Sequence, residues 1–487
     1  MTEILGTASL LFCWPTVSWR VGVLPERMLY CHRVRLGQPI WARVRSWLYE
    51  RSLGVAESMQ KRQWPVPFFT IWIGQALSLF GSQVGGFALV WWLTEASGRS
   101  ATVLATATLV ALLPGVLLGP FIGALVDRWN RRWVMILADA MIALFSAWLA
   151  FLFWADRMQI WHVYVIMSVR ALGGAFHWPA MQASTSLMVP KEQLSRVAGM
   201  NQTLGGILGV VTPPLGAFLM QVLPLYVIMA ADVVTAAFAI GPLFFIDIPQ
   251  PERQVRPETK VAKPSLWQDV KHGFVYIWRW QGMFLVLVLA TVINMLINPA
   301  MSLLPILVTK YFGGGALQLG WMNSAWGLGE IVGGLTLSVW GGFKSKIVTI
   351  LAALVGMGIG LALVGVAPAS AFWLGLAGMA FGGFMNPIVS GPFFAILQDV
   401  ADPQLQGRLF TAIGSVTAAA SPVGMAIAGP VADSLGVQVW FILGGLICVL
   451  MGVCMFFVPA VMHLEAQGRA AVQEVDGDRP VEAQLAK

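Results

Sequence analysis

Six ionisable residues lie inside long apolar stretches of this sequence, where charge is costly. They are Asp139, His162, Arg170, His177, Asp232 and Glu330. A charge near the middle of a bilayer costs at least a few kcal/mol, so such residues face a protein interior or a water-filled cavity and have partners. Because burial disfavours the charged form, a carboxylate can bind a proton in a dry environment and release it in a wet one. The chemistry that these residues suggest is proton binding and release.

Three of these residues are candidates for coupling protons to a transport step: Glu330, Asp232 and Arg170. Glu330 lies close to the middle of its apolar segment, which has no basic residue to neutralise it. Arg170 is a possible partner for Glu330. Each of the three could instead only hold helices together by static pairing. Asp139 is within two helical turns of the loop that precedes its segment, and we expect it to help to lock that loop.

The elements that must position these residues are membrane-spanning helices. Of the 487 residues, 57% are hydrophobic and only 11% are charged, and the mean hydropathy is +0.74. A soluble domain carries about 25% charged residues, so the solvent of most of this chain is lipid. One span needs about 20 apolar residues. Twelve segments qualify: 68–94, 101–125, 133–154, 160–188, 195–221, 224–246, 282–309, 316–340, 347–367, 371–397, 408–432 and 437–461.

A repeat divides these segments into two halves. Gly-Ala-Phe-His-Trp-Pro ending at Pro179 matches Gly-Gly-Phe-Met-Asn-Pro ending at Pro387, 208 residues later. Pro-Leu-Gly at Pro214 recurs as Pro-Val-Gly at Pro422, at the same offset. The sequence therefore predicts an all-α membrane protein of twelve transmembrane helices in two six-helix pseudo-symmetric halves. In that layout the substrate binds near the midplane, between the halves.

Five regions follow from the spans. We expect residues 1–58 to be a non-native or disordered N-terminal extension, because they contain no clean span and Met59 begins a short basic stretch directly before one. The alternative is a basic tail that touches anionic lipid. We expect two six-helix halves, at 59–246 and 282–461. Between them, 247–281 would form a cytoplasmic linker with an amphipathic helix (alternatively an ordinary packed helix), and 462–487 would be a disordered cytoplasmic tail.

The basic residues predict how the chain lies in the membrane. Most lysines and arginines of the short loops fall on one side, and cytoplasmic loops carry such an excess. We therefore expect a multi-pass protein of the plasma (inner) membrane with both termini cytoplasmic. The formal charge of +7 reflects this topology, so no nucleic-acid partner is expected. The four cysteines lack metal-ligand spacing, and we expect neither a metal nor a cofactor.

The loop between the second and third spans carries a recognisable motif. Its sequence from Gly123 is Gly-Ala-Leu-Val-Asp-Arg-Trp-Asn-Arg-Arg. It resembles the signature loop of the major facilitator superfamily, with Asn130 where a glycine is usual. In that family the aspartate locks against the cytoplasmic start of span eleven, and a carboxylate is favoured at a helix N-terminus. The resemblance implies a gating role for Gly123, Asp127, Arg128, Arg131 and Arg132.

Further motifs narrow the resemblance. The run Arg-Ala-Leu-Gly-Gly from Arg170 is similar to the buried-arginine motif of the family, and 212–217 resembles its antiporter motif. The antiporter-like residues are Thr212, Pro213, Pro214 and Gly216. Segments 71–79 and 189–194 resemble the macrolide-efflux branch, whose members are drug:proton antiporters. The resemblance implies proton-coupled efflux of hydrophobic or amphipathic drugs, such as macrolides, by alternating access.

Residues on the spans that line the cavity of that family are the substrate-binding candidates. They are Gln75, Ser78, Gln83, Asn294, Asn298, Met322 and Trp326. A pocket of apolar wall with a few polar groups suits bulky amphipathic molecules. Each polar candidate could instead make only a hydrogen bond between helices.

Other functions remain open at this point. Within transport, the chain could export a siderophore or act as a lysolipid flippase-type transporter. A membrane enzyme is disfavoured because the sequence has no nucleotide-binding loop, metal cluster or Ser/His/Asp set on one face. We expect a monomer whose partners are a small hydrophobic substrate, protons and the lipid bilayer.

Overall fold

Long helices account for most of the chain that the structure describes. The computed structural model describes residues 64–190, 193–250, 281–400 and 406–464, all of which belong to one compact unit, Lys61–Lys487. The expectations for residues 1–58, for the linker between 251 and 280 and for the tail after 464 lie outside these ranges. The helices are α1 Pro65–Ala96, α2 Ala101–Arg128, α3 Arg131–Trp154, α4 Ile160–Met188, α5 Leu194–Val222, α6 Leu225–Phe245, α7 Gln281–Ile306, α8 Ala316–Trp340, α9 Lys346–Val366, α10 Phe372–Val400, α11 Gln406–Leu435 and α12 Val437–Phe456.

Each predicted span coincides with one of these helices, and the all-α membrane fold class is confirmed. Within the described ranges, nine helices are long and apolar enough to cross a membrane. The other three are α4, α8 and α11, and two of them carry the charged residues Arg170 and Glu330. That these three also span the bilayer stays a prediction.

The same packing pattern occurs twice. In the N-half (α1–α6), α1 packs on α5 and α6, α3 packs on α4 and α6, and α2 packs on α4. In the C-half (α7–α12), α7 packs on α11 and α12, α9 packs on α10 and α12, and α8 packs on α10. The repeated prolines Pro179 and Pro387 lie inside the equivalent helices α4 and α10. The halves meet where α5 packs on α8 and where α2 packs on α11. The boundaries proposed for the halves stay predictions.

Small residues set the closest approaches between helices. A Cβ at Gly333 of α8 would lie 2.0 Å from the carbonyl oxygen of Phe384 in α10, and one at Gly329 would lie 2.2 Å from that of Ala380. Only glycine fits at such distances, and backbones in contact are typical of helices that associate in lipid. These glycines hold α8 directly against α10.

The bundle has two ends, which we name by their loops. Short loops join α1 to α2, α3 to α4, α5 to α6 and α7 to α8 at one end, the odd-loop end. The first helix begins at the opposite, even-loop end. A π-helical turn, Leu307–Tyr311, extends α7 at the odd-loop end.

Candidate functional site

Asp232, the most buried acid described in the N-half, lies at the centre of a cluster of polar side chains. The Asp232 side chain on α6 is 2% exposed. It accepts hydrogen bonds from Ser82 of α1 (2.8 Å), Ser146 of α3 (2.8 Å) and the Arg170 guanidinium of α4 (2.9 Å). Arg170 also donates to the backbone oxygen of Ser82 at 2.6 Å. Four helices therefore converge on one ion pair, the charge cluster of the N-half.

This cluster corrects one expectation. The possible partner proposed for Arg170 was Glu330 of the other half, whereas the structure pairs Arg170 with Asp232. The two charges neutralise each other, and two hydroxyl groups satisfy further lone pairs. A buried ion pair persists only when its geometry is good and its remaining polar atoms are bonded, and this pair meets both conditions.

Asp139, which was expected to take part in the loop lock, lies in a second polar group of the N-half. The amide nitrogen of Gln75 on α1 donates to Asp139 of α3 at 2.9 Å. Nε2 of His177 on α4 lies 3.4 Å from the other carboxylate oxygen. That distance allows an ion pair when the imidazole is protonated, although Nε2 makes no aligned hydrogen bond. Neither described partner of Asp139 belongs to the loop, and the loop-lock role of Asp139 stays a prediction.

Glu330 is half-buried on α8, and its described partners are neutral. Trp326, one turn earlier, donates from Nε1 to Oε1 at 3.0 Å, and Asn386 of α10 donates from Nδ2 to the same oxygen at 2.7 Å. The ion pairs found among the described residues do not include Glu330. Both donors can keep their protons whether or not the carboxylate is ionised, so the charge of this site can change without breaking an ion pair.

Several of the expected substrate contacts are bonds or packing contacts between helices. Gln75 donates to Asp139, and Gln83 accepts from Thr212 of α5 at 3.1 Å. Asn298 of α7 donates to Ser421 of α11 at 2.6 Å. Met322 is fully buried, and Trp326 packs on the glycines of α10. Ser78 is half-buried on α1.

Two cavities lie in the helix bundle. The inter-half cavity, of about 220 Å³, is lined by residues of α1, α2 and α4 together with α7 and α8. The C-half cavity, of about 360 Å³, lies between α7, α9, α10 and α11. Asn294, one of the predicted substrate contacts, lines the C-half cavity, and so does Asn386. Within the described ranges, no three His, Cys, Asp or Glu residues are grouped closely enough to hold a metal ion.

The loop between α2 and α3 is built by its polar residues. Asn130 is the N-cap of α3, and its side chain accepts from the backbone of Arg132 at 3.1 Å. Its φ of −69° requires no glycine, which explains how asparagine can replace one here. The Arg132 guanidinium binds Asp247 and the last carbonyl groups of α6. Arg128 is exposed, whereas the surroundings of Gly123 and of the Asp127 side chain lie outside the described part of the structure.

Of the gating residues, Arg131 has an unusual environment. Its Nε and Nη1 atoms are buried without a hydrogen-bond partner in the described structure. A buried guanidinium without a partner is costly, so this position has capacity for an anionic or carbonyl partner. The gating role of the loop stays a prediction.

The antiporter-like motif of α5 lies at a close contact between helices. A Cβ at Gly320 of α8 would be 2.9 Å from Cα of Pro214 and 3.0 Å from the carbonyl oxygen of Pro213. Gly216 faces the ring of Phe87 on α1. The two prolines therefore lie at the contact between the halves, and the glycine lies within the N-half.

Sequence reasoning missed Asp433, near the C-terminal end of α11. Its carboxylate accepts from the backbone nitrogens of Ala101 and Thr102 (both 2.9 Å), from the Thr102 hydroxyl (2.7 Å) and from Ser100 (3.1 Å). Burial alone raises the pKa of Asp433, but the hydrogen bonds from Thr102, Ala101 and Ser100 outweigh it and hold the pKa below its usual range. Asp433 thus caps the N-terminus of α2, which is in the other half. The signal that could have revealed it is an acid beside a predicted helix end, opposite a Ser-Ala-Thr helix start.

Further bonds between the halves lie toward the same end of the bundle. Arg99 reaches the carbonyl oxygen of Thr309 at 3.5 Å, and Ser324 of α8 donates to the carbonyl oxygen of Val210 at 2.5 Å. The hydroxyl groups of Thr108 on α2 and Ser302 on α7 are also hydrogen-bonded. The hydrogen bonds that the structure describes between the halves therefore lie between the odd-loop end and the middle of the bundle.

Two pseudo-symmetric helical halves, buried charges and cavities within an apolar bundle define a membrane transporter. The Major Facilitator Superfamily profile matches residues 71–307 and 283–476. The chain belongs to this superfamily, as the signature loop indicated. It is 34% identical over 388 residues to Macrolide efflux protein A of Streptococcus pyogenes, covering 79% of this chain and 95% of that protein. It is 25% identical over 398 residues to the multidrug efflux pump Tap of Mycolicibacterium fortuitum, covering 79% and 94%.

A solved structure has the same fold. The crystal structure of a mutant of the nucleoside transporter NupG matches with a TM-score of 0.61 at 10% identity, covering 79% of this chain and 98% of that one. At this identity the likeness concerns the fold alone. Together with the sequence relatives, it makes the chain a transporter of the major facilitator fold and confirms its resemblance to the macrolide-efflux branch.

Proposed function

We propose that this chain is a secondary active transporter that exports hydrophobic or amphipathic drugs, macrolides among them, in exchange for protons by alternating access. The observation that carries the proposal is the uneven seal between the halves. The described hydrogen bonds between them lie in the odd-loop part of the bundle. A seal between the halves at one end of the bundle is a feature of one of the two states that alternating access requires.

Open space beside the interface helices supports this reading. α2 and α5 carry contacts between the halves near the odd-loop end, yet their even-loop parts contain glycines with free space beside them. A Cβ added at Gly115, Gly119, Gly199 or Gly205 would meet no atom within 4 Å. The inter-half cavity lies beneath the odd-loop seal. A substrate that enters from the even-loop end would reach it between the halves.

The choice of substrate rests on the relatives. The protein from Streptococcus pyogenes is a macrolide efflux protein, and the one from Mycolicibacterium fortuitum is a multidrug efflux pump. The present chain spans almost the whole length of both. Its cavities have mostly apolar walls with a few uncharged polar groups, which suits large amphipathic molecules.

Proton coupling requires a group that changes charge during the cycle. Asp232 is neutralised by Arg170 and is bonded by two hydroxyl groups, so it is suited to holding four helices together. Glu330 accepts hydrogen bonds from the neutral donors Trp326 and Asn386. We assign the transported proton to Glu330 for this reason, with Asp232 as the next acid to test.

The orientation follows from the basic residues. Arg128, Arg132 and Lys346 lie near the even-loop end, whereas Arg99 and Lys310 lie near the odd-loop end. The greater number of basic residues at the even-loop end supports a cytoplasmic location for that end and for both termini. The protein would act as a monomer in the plasma (inner) membrane, and the odd-loop seal described here would close the opposite, outer side.

Transport by the full chain in proteoliposomes tests the proposal. An imposed pH gradient should drive accumulation of a radiolabelled macrolide on the side from which protons leave, and a protonophore should abolish it. In the same vesicles, macrolide addition without an imposed gradient should move protons. Accumulation that is indifferent to the pH gradient would overturn the proton coupling.

Two further substrates separate the remaining alternatives. A ferric siderophore and a fluorescent lysolipid are offered to the same vesicles. Movement of either one without movement of the macrolide would replace drug export with that activity.

A further inference from the structure

The C-half cavity has the chemistry of a binding site for an uncharged group. Its volume of about 360 Å³ is near the lower end of the roughly 300–1,000 Å³ that is typical of drug-sized ligands. Its wall is mostly apolar, and its polar side chains are those of Asn294, Asn386, Ser390 and Thr417. Among the described residues that line it, none is Asp, Glu, Lys or Arg. A cavity of this composition accepts an apolar group that carries hydroxyl or ether oxygens.

Asn386 joins this cavity to Glu330. Its side chain lines the cavity, and its Nδ2 atom donates to Oε1 of Glu330 at 2.7 Å. While Glu330 is ionised, this bond holds Nδ2 toward the carboxylate and leaves Oδ1 as the acceptor for another donor. The hydrogen bond from Trp326 also ends on Oε1, so Oε2 is the oxygen that can take up a proton.

Protonation of Glu330 would change what Asn386 offers to the cavity. The carboxyl group then carries an O–H donor, for which the Oδ1 atom of Asn386 is a suitable acceptor. Rotation of the amide by half a turn would exchange its donor and acceptor faces. A ligand hydroxyl that had donated to Oδ1 would lose that acceptor and would have to turn in order to accept from Nδ2 instead, so its affinity would fall.

The backbone around this pair is too tightly packed to absorb the change by other means. A Cβ at Gly383 of α10 would lie 2.2 Å from the carbonyl oxygen of Trp326, and Gly329 and Gly333 make similar contacts on either side of Glu330. The helices α8 and α10 are therefore held together at this point. A change of charge on Glu330 must be answered by side-chain reorientation.

We propose that the C-half cavity binds an uncharged, hydroxyl-bearing part of the transported drug. Asn386 is the positioning residue that couples binding of the drug in this cavity to the protonation state of Glu330. The proposal rests on the proposed function and specifies where the substrate binds and how it is linked to the proton. The ionised state of Glu330 favours binding and the protonated state favours release, as an exchange of drug for proton requires.

A cavity-filling substitution tests the site. Gly414 lines the C-half cavity, and an added Cβ there would meet no atom within 4 Å, so Gly414→Leu can fill the space without a clash. Gly241 of α6 also has free space beside it, and Gly241→Leu is the matched control in the other half. Binding of a radiolabelled macrolide to the purified full chain is measured by scintillation proximity. We expect Gly414→Leu to weaken binding about tenfold or more and the control to change it little.

The pH profile tests the role of Asn386. In the wild type, macrolide affinity should be higher at mildly alkaline than at mildly acidic pH. Asn386→Leu keeps the size of the side chain but removes its hydrogen bonds, so its affinity should be lower and nearly independent of pH. Thermal unfolding of the same variant identifies any purely structural defect, which would not remove a pH dependence.

These measurements distinguish a failure of the proposed function from a failure of the proposed binding site. A wild-type chain that neither binds nor transports a macrolide would overturn the proposed function and this inference together. A wild-type chain that transports, with Gly414→Leu binding as tightly as Gly241→Leu, would overturn the inference alone. Retention of the wild-type pH profile by Asn386→Leu would remove Asn386 from the link.

Discussion

At the scale of single residues, a substitution at Glu330 tests proton coupling separately from the movement of substrate. Glu330→Gln keeps acceptor oxygen for the bonds from Trp326 and Asn386 but cannot lose a proton. We expect macrolide accumulation driven by a pH gradient to be abolished, while exchange of labelled for unlabelled macrolide continues. Both are measured in proteoliposomes.

The matched control for this variant is Glu95→Gln. Glu95 is exposed near the odd-loop end, where it pairs only with the equally exposed Arg99. An exposed pair of this kind contributes little to stability, so the control should pump normally. If Glu330→Gln also pumps against a gradient, Glu330 does not carry the proton, and Asp232→Asn is the next variant to measure.

The charge cluster of the N-half predicts non-additive mutations. Asp232→Asn leaves the Arg170 guanidinium without its counter-ion, and Arg170→Gln leaves the Asp232 carboxylate without its counter-ion. Breaking a buried pair from one side costs about 3–5 kcal/mol, whereas removing both charges costs less than the two single changes together. We expect the double variant to unfold at a higher temperature than Asp232→Asn, measured by intrinsic tryptophan fluorescence in detergent. Additive losses would show that the two charges do not depend on each other.

The sequence identified the buried charges but could not pair them. Arg170, Asp232 and Glu330 were recognised because charge inside an apolar span is rare. Their partners depend on helix rotation, which hydropathy does not encode. Arg170 and Asp232 are 62 residues apart, and Ser82 is 150 residues from Asp232. For the same reason Gln75 and Gln83 were predicted to face the substrate, although each bonds a neighbouring helix.

At the scale of elements, the contact between α8 and α10 depends on individual glycines. A methyl group at Gly333 would lie 2.0 Å from the backbone oxygen of Phe384, which can yield only if the helices separate. We expect Gly333→Ala to lower the unfolding temperature and to impair pH-driven transport, because separation lengthens the bond between Asn386 and Glu330. Unfolding in detergent and transport in vesicles are the two measurements.

The neighbouring glycine provides the control. A Cβ at Gly334 meets no atom within 4 Å, so Gly334→Ala should be neutral or slightly stabilising, since alanine favours a helix over glycine by up to about 1 kcal/mol. Equal effects of the two substitutions would mean that the close contact between α8 and α10 contributes nothing to stability or transport.

Because Asp433 caps α2 across the two halves, its substitution should shift the equilibrium between the closed and open states of the odd-loop end. A side-chain cap stabilises a helix start by about 0.5–2 kcal/mol, enough to change a two-state equilibrium several-fold. Asp433→Asn removes the charge and weakens the odd-loop seal. We expect the distance between spin labels placed on α2 and α11 near this end to show a larger open population in double electron–electron resonance.

The pH dependence of this cap has a definite sign. The pKa of Asp433 is below its usual range in the sealed state, so the carboxylate is ionised and the cap is complete at neutral pH. The contribution is present above the usual aspartate pKa and is lost only as the pH falls through the lowered value. The wild-type distance distribution should therefore stay constant across the neutral range and broaden only in strong acid. A change near neutral pH that disappears in Asp433→Asn would contradict this assignment.

Hydropathy located the elements well because lipid imposes one length and one composition on a spanning helix. The first span was predicted at 68–94, and α1 is Pro65–Ala96. It could not reveal the π-helical turn Leu307–Tyr311, which places Thr309 next to Arg99 of the other half. It also could not find Asp433, because an acid just beyond a predicted span looks like an ordinary loop residue.

At the scale of the whole molecule, the two halves share packing but not polarity. By the offset of 208 residues, Gly378 of α10 is equivalent to Arg170 of α4. Where the arginine binds Asp232, the glycine instead allows α10 to approach the carbonyl oxygen of Gly360 in α9. At this position the N-half therefore has an ion pair and the C-half has a close backbone contact between α9 and α10. The C-half cavity of about 360 Å³ lies in the half that has the backbone contact, and Asn386, the partner of Glu330, lines it.

Alternating access requires the odd-loop seal to open during each cycle, and a cross-link across it tests this directly. Thr108 and Ser302 are hydrogen-bonded between the halves, so Thr108→Cys with Ser302→Cys, in a chain whose native cysteines are replaced, should form a disulfide under mild oxidation. We expect oxidation to stop macrolide transport, reduction to restore it, and macrolide binding to persist throughout, because the even-loop side stays accessible. Met135→Cys with Ser184→Cys places the same cross-link within the N-half, where two contacting helices move together, and should leave transport intact. Transport that continues while the Thr108–Ser302 cross-link is complete would show that the halves do not separate at this end, and the substrate would then need a path that does not pass between them.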